Sequence, residues 1–165
     1  MGECLDMSHK AFVSYHHHND QRQANWIRDN YGDEVFIDRS LESAFVGMSD
    51  DEILASIRKN YLKDSTVTIV LIGKDTAKRK WVDWEINASL RPYEDRTRNG
   101  LLAIFLDDSY EAPARLQDNI DSGYAVTMKW SEISTKLESK VEEAYNNRAK
   151  SYLIRNSRPL RQRNS

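Results

Sequence analysis

The sequence predicts an α/β protein: a flavodoxin-like, doubly wound sheet of about five mainly parallel strands with helices on both faces. Three observations predict it. Short apolar runs rich in β-branched and aromatic residues alternate with longer polar stretches of helical spacing, the pattern of repeated βαβ units. Two of those runs, Thr66 to Ile72 and Leu101 to Leu106, are almost continuously apolar, as central strands covered on both faces must be. The length of 165 residues fits one domain and leaves no room for a second full core.

Taken in order, residues 1–9 are polar and unpatterned and are expected to be a flexible lead. The domain is expected over residues 10–147. Its strands are predicted at Lys10 to Tyr15, Glu34 to Ile37, Thr66 to Ile72, Leu101 to Leu106 and Tyr124 to Met128. Asp20 is a candidate cap for a first helix reaching about Asn30, with Ala24 and Ile27 inward and Gly32 beyond its end. Ser49 and Glu52 have capping-box spacing ahead of Ile53, Ile57 and Leu62. Trp81, Trp84, Ile86 and Ala88 mark a third helix stopped by Pro92. From Ser131 onward, Ile133, Leu137, Val141, Ala144 and Tyr145 recur at helical spacing. Residues 148–165 form a basic tail with little to bury, for which partial order at most is expected.

Charge is unevenly shared. The formal net charge is −2, but residues 148–165 hold six basic and no acidic residues, so residues 1–147 carry 18 basic against 26 acidic residues, a net −8. An acidic body argues against a nucleic-acid-binding surface, which needs clustered Lys and Arg. Cys4 is the only cysteine, which excludes an internal disulfide and a multi-cysteine zinc site. No run approaches the ~18 apolar residues of a membrane span, and no signal-peptide core opens the chain, so a cytoplasmic location and no membrane are expected.

In a doubly wound sheet ligands lie beyond the carboxyl ends of the strands, which directs attention to Ser14 to Asp20, Asp38 to Gly47, Gly73 to Glu85 and Asp107 to Ser109. The six glycines never cluster into a phosphate-binding loop, and no GxSxG elbow is present. Where a receiver domain would carry an acidic pair and a phosphate-accepting Asp stand His16 to His18 and Gly73. Adjacent histidines on an extended chain point to alternate sides, so His16, His17 and His18 are not expected to share a metal ion. Ser14 and His16 share a face and suit the lining of a polar pocket, unless the strand simply becomes solvated there. In KWVDWEINASL, Trp81 and Trp84 flank Glu85 on a helix, so the carboxylate is either partly desolvated beside apolar rings or an ordinary solvated residue next to core tryptophans. Lys74, Lys78, Arg79 and Lys80 form a basic cluster able to attract a pyrophosphate or merely to face water.

Taken together, KAFVSYHHHND, FIDRSL, TVTIVLIG and KWVDWEI resemble the TIR-like family that includes the ThsB proteins of the Thoeris antiphage system, over roughly residues 10–147. The resemblance implies a doubly wound domain that takes NAD as substrate rather than as a retained cofactor. It would cleave the nicotinamide–ribose bond and form a cyclic ADP-ribose isomer that switches on a partner effector. A phage-derived trigger and self-association are implied as well. Glu85 matches the catalytic glutamate. Ser14, Tyr15 and His16 match the strand-end motif near the substrate, and Asp38 and Arg39 match the start of a loop that gates the site and mediates association. Phe45, in that loop, either stacks an adenine or anchors the loop. No metal is implied. Two other classes stay open at this point: a non-catalytic TIR-like interaction module, and a nucleoside or nucleotide glycosyl-transfer enzyme using the same carboxylate.

Overall fold

A computed structural model describes residues 9–31, 35–37, 45–62, 64–94 and 97–164, with residues 35–37 described by backbone alone. Five strands, β1 (Ala11–Ser14), β2 (Val35–Ile37), β3 (Val67–Ile72), β4 (Gly100–Phe105) and β5 (Val126–Lys129), form one sheet in the order β2-β1-β3-β4-β5. Every neighbouring pair is parallel. The chain therefore winds outward in opposite directions from β1 and β3, and the crevice above their carboxyl ends is where such sheets hold ligands.

Strand alternation divides the core into two layers. Ala11 and Val13 of β1, Ile69 and Leu71 of β3, and Leu102 and Ile104 of β4 face α1 (Gln21–Tyr31) and α5 (Ile133–Asn147). Their partners are the predicted stripes, Ala24 and Ile27 on α1 and Ile133, Leu137, Val141 and Ala144 on α5. Each such aliphatic side chain contributes roughly 1.5 to 3 kcal/mol by leaving water. Gly100 lets α5 seat closely, because a Cβ there would stand 2.1 Å from the Ala144 carbonyl oxygen. On the other side, Phe12, Val70, Ile72, Leu101 and Ala103 face α2 (Asp50–Ser56), α3 (Lys80–Ser89) and α4 (Ala114–Asp121).

Local signals behave as their chemistry requires, with some adjustments. Ser49 and Glu52 form the full capping box at the start of α2. Past Ser56 the helix widens into a π-helical stretch, Ile57–Leu62, and Arg58 turns inward to donate to Asn99 (2.6 Å) and to the Thr97 carbonyl (2.7 Å). The helix predicted from Ser131 begins at Ile133, after a single 3-10 turn at Trp130–Glu132. Helix α4 has no counterpart in the predicted elements. Its inward side is made of Arg115, Leu116 and Asn119, so two of its three buried residues are polar and no apolar stripe announces it.

The expectation for residues 148–165 is corrected. Arg148–Leu153 makes a 3-10 segment kinked at Lys150, after which residues 154–164 run across α4 and α3. Leu153 and Ile154 pack on the α3/α4 layer, and Leu160 packs beside Trp84 and Phe45. Polar side chains do most of the holding, which hydropathy does not detect. Residues 1–8 of the expected lead lie outside the described residues.

Candidate active site

Two periodicities bring the candidate carboxylate to the end of β1. Alternation along β1 sends Phe12 and Ser14 toward the α3 layer, and the helical turn of α3 sends Glu85 back toward the sheet. The Ser14 hydroxyl donates to Glu85 Oε1 at 2.6 Å, with Ser14 0% and Glu85 1% exposed. That length is typical of a hydroxyl donating to a carboxylate. One turn further along α3, the Ser89 hydroxyl donates to the Glu85 carbonyl oxygen (2.7 Å) and lies 2.6 Å from Thr68 Oγ1 of β3. Asn99 Nδ2 donates to Thr68 at 3.1 Å and its Oδ1 receives Arg58. A buried polar seam thus runs under α3 from Ser14 to the π-helical stretch, and such a network fixes one geometry only when its members are satisfied.

The loop after β1 builds the adjoining wall. The Asn19 N–H donates to His16 Nδ1 (3.1 Å), and the Asp20 N–H donates to the His16 carbonyl oxygen (2.9 Å), closing a tight turn. Burial lowers the His16 pKa, and the Arg79 charge lowers it further. Asp20 stands just before α1, and its carboxylate packs against the loop after β3, 3.4 Å from the Thr76 hydroxyl. Gly73 makes room for it, since a Cβ there would lie 2.2 Å from Asp20 Oδ2. Burial pushes the Asp20 pKa to about 6, against the opposing hydrogen bond from Thr76, and the nearby Asp75 charge adds to the rise. Beside these loops a polar cleft of about 630 Å³ opens over the strand ends, lined by His18, Asn19, Asp20, Lys74 and Asp75 on one side and Asp107 and Tyr110 on the other.

Several predicted site residues take other places. Tyr15 follows Ser14 and is therefore carried to the opposite face, where it joins the α1/α5 core, donates to Gln21 Oε1 (2.8 Å) and stacks on His17. Trp84 is 1% exposed, and its indole N–H donates to the Arg161 carbonyl oxygen (2.8 Å), so it is a core residue that anchors the C-terminal segment. Trp81 is half-buried, 5.4 Å from Trp84 and 5.5 Å from Phe45 between ring centres. Phe45 is buried against Trp81 and Tyr61 as a loop anchor. Asp38 and Arg39 lie outside the described residues. In the basic cluster, Lys80 Nζ sits over the Trp81 ring at 4.6 Å and Lys74 lines the cleft. Asp107 closes a turn, accepting from the Ser109 N–H and hydroxyl. Among the described residues no three His, Cys, Asp or Glu side chains gather as a metal site. Sequence reasoning missed Thr76, Ser89 and Thr68; of these, only Ser89, four residues after Glu85, carried a signal of position.

The segment from Phe12 to Glu111, more than half of the chain, matches the family described as Thoeris protein ThsB, TIR-like domain. The chain belongs to that family. Ser14, His16 and Glu85 all fall within the matched ThsB-type region, whereas the C-terminal segment that crosses α3 falls outside it. Among curated proteins there is no match. Among solved structures the ThsB-type chain is similar to the TIR domains of the activated Roq1 resistosome directly recognizing the pathogen effector XopQ. Identity is 15% and the TM-score 0.39, with 90% of this chain and 86% of that one covered. No helix among the described residues is long and apolar enough to cross a membrane.

Proposed function

We propose that this TIR-like protein cleaves the nicotinamide–ribose bond of NAD, with Glu85 as the essential carboxylate. The observation that carries the reading is the Ser14 to Glu85 hydrogen bond, which holds a buried carboxylate at the carboxyl end of β1, beside the point where the strand order reverses. In the reaction the C1′–N bond breaks and its electron pair returns to the pyridine nitrogen, so nicotinamide leaves neutral and needs no general acid. Positive charge develops on the ribose. A carboxylate kept in place by a hydroxyl, in a site poor in water, stabilises that charge and accepts from the ribose hydroxyls as the transition state forms. The cation is then captured by water, releasing a proton, or by a nucleophile of the same molecule, which gives a cyclic ADP-ribose-type product. Such a product would act on a partner effector in antiphage defence, after a phage-derived trigger, within the cytoplasm.

The test compares wild type with Glu85→Gln, following nicotinamide release from NAD by chromatography. The variant should fold normally and lose at least about 10² to 10³-fold in rate, the cost of removing a group that acts on developing charge. Undiminished activity in Glu85→Gln would sink the assignment. A second reading, a non-catalytic module that assembles through the loop containing Phe45, is favoured by one observation: Phe45, Trp81 and Trp84 pack on one another as a cluster. Triggered protein that self-associates yet leaves NAD intact would favour it. Including free nucleosides in the same assay tests for glycosyl transfer outside NAD.

A further inference from the structure

We propose that residues 154–164 are a positioning strap that holds α3 from the side opposite the sheet and so keeps Glu85 against Ser14. Its catalytic consequence rests on the NAD-cleaving reading; its mechanical half rests on contacts alone. The strap meets α3 at four residues spaced as one helical face. The Lys80 N–H, the first of α3, donates to Asn164 Oδ1 (2.8 Å). Asp83 Oδ2 accepts the Arg161 N–H (2.8 Å), and the Trp84 indole N–H donates to the Arg161 carbonyl oxygen (2.8 Å). Asn156 Nδ2 donates to the Asn87 carbonyl oxygen (3.3 Å). Positions 80, 83, 84 and 87 form one stripe along the whole helix.

The opposite side of α3 does different work. Val82 and Ile86 pack on the sheet, Glu85 receives Ser14, and Ser89 meets Thr68. Asp83 and Glu85 are two residues apart, so they project about 200° apart around the axis. A force applied at Asp83 therefore bears on the rotation that aims Glu85. Every residue of α3 from Val82 to Ser89 is buried, which a helix on the outside of an open sheet reaches only when something covers its outer face.

The strap is itself fixed from below by α4. Arg115, with no exposed side-chain surface, pairs with Asp83 through Nε (2.9 Å) and Nη2 (3.3 Å). Its remaining donors reach Asn156 Oδ1 (2.9 Å) and the Pro159 carbonyl oxygen (3.1 Å). Asn119 grips the Arg155 backbone at both its N–H (2.9 Å) and its carbonyl oxygen (2.8 Å). Leu160 fills the layer beside Trp84. The strap is thus held largely through its main chain by buried groups of α3 and α4, and it lies outside the family-matched segment.

The experiment deletes residues 154–165 and adds them back in trans as a synthetic peptide. Amide hydrogen exchange of α3 is one readout, and kcat and KM for NAD cleavage are the other. Deletion should speed exchange across Lys80 to Ser89 by at least about 10-fold while β3 and β4 stay protected. It should lower kcat by about 10 to 100-fold with KM nearly unchanged, because the loss is of alignment in the transition state. Saturating peptide should restore both, a rescue that general destabilisation would not produce. If the deleted protein does not fold, Leu160→Ala in the full chain is read the same way, with smaller shifts in the same direction. Unchanged α3 protection overturns the proposal, as does loosened α3 with full kcat. Higher activity on deletion also overturns it, pointing to an inhibitory strap instead. If the full-length protein cleaves no NAD under any trigger, the chemical reading fails while the exchange readout still decides the mechanical claim.

Discussion

The two layers that cover the sheet are built by different chemistry. The α1/α5 layer is an apolar seam: Ile27, Leu137, Val141 and Ala144 press on Val13, Ile69 and Leu102. The α3/α4 layer buries Glu85, Asp83, Arg115, Asn119 and Ser89 among its aliphatic residues and adds a segment from the C-terminus. Apolar seams tolerate small shifts, because non-directional contacts re-form after a small displacement. Buried polar groups do not, because each lost partner leaves a desolvation cost. The side carrying the candidate carboxylate is the side where geometry is specified by hydrogen bonds.

Cutting one element in each layer tests this contrast most strongly. Arg115→Met leaves Asp83 buried without its guanidinium and should cost about 3 to 5 kcal/mol. Leu137→Ala opens a cavity in the apolar layer and should cost a similar 2 to 5 kcal/mol. Denaturant midpoints report the totals, while limited proteolysis reports where the damage falls. Arg115→Met should expose residues 154–164 to cleavage well below the unfolding midpoint, and Leu137→Ala should not. Release of the segment by both variants alike would mean that the layers are not mechanically distinct.

A narrower cut is Asn119→Ala, which keeps the Asp83 to Arg115 pair and removes the two-point grip on the Arg155 backbone, together with the Asn119 Nδ2 hydrogen bond to the Arg115 carbonyl oxygen (2.8 Å). Leaving a backbone N–H and carbonyl without those partners should cost about 1 to 3 kcal/mol. Urea titration with a probe on the C-terminal segment should show it loosening first. A change confined to global stability, with no early loosening, would mean that Asn119 serves α4 rather than the strap.

The same contrast explains what could be read from the chain beforehand. The spacing of Leu137, Val141 and Ala144 declares α5, and the largely apolar runs declare β3 and β4, because those elements are held by the burial that hydropathy measures. Helix α4 and residues 154–164 were invisible to that reading, since Arg115, Asn119 and Asn156 do their holding with hydrogen bonds. At the site, Ser14 and Glu85 were legible from the period of a strand and of a helix. The very next step of the strand alternation carries Tyr15 to the other layer, and Trp84 turns into the core because a ring beside a carboxylate in sequence need not face the same space. The Asp20 to Thr76 contact, 56 residues apart, had no local signal at all.

Asp20 supplies the smallest effect and the one whose sign is least intuitive. Its pKa in the folded protein, about 6, stands above the ordinary value of 3.8. Between these two values the folded protein holds a proton that the unfolded chain has lost, so stability falls as pH rises through that window and levels off above it. The neutral carboxyl packs against Gly73 at a much smaller desolvation cost than the carboxylate. Replacing Asp20 with Asn keeps the shape and removes the titration. The variant should match the wild type near pH 4 and exceed it on the order of 1 to 2 kcal/mol at neutral pH, with the gap opening between about pH 4 and 6. Chemical denaturation across that range measures it. A gap of constant size at every pH would mean that ionised Asp20 is stabilised in the fold by its loop, and that the polar wall beside the candidate site is better solvated than its burial implies.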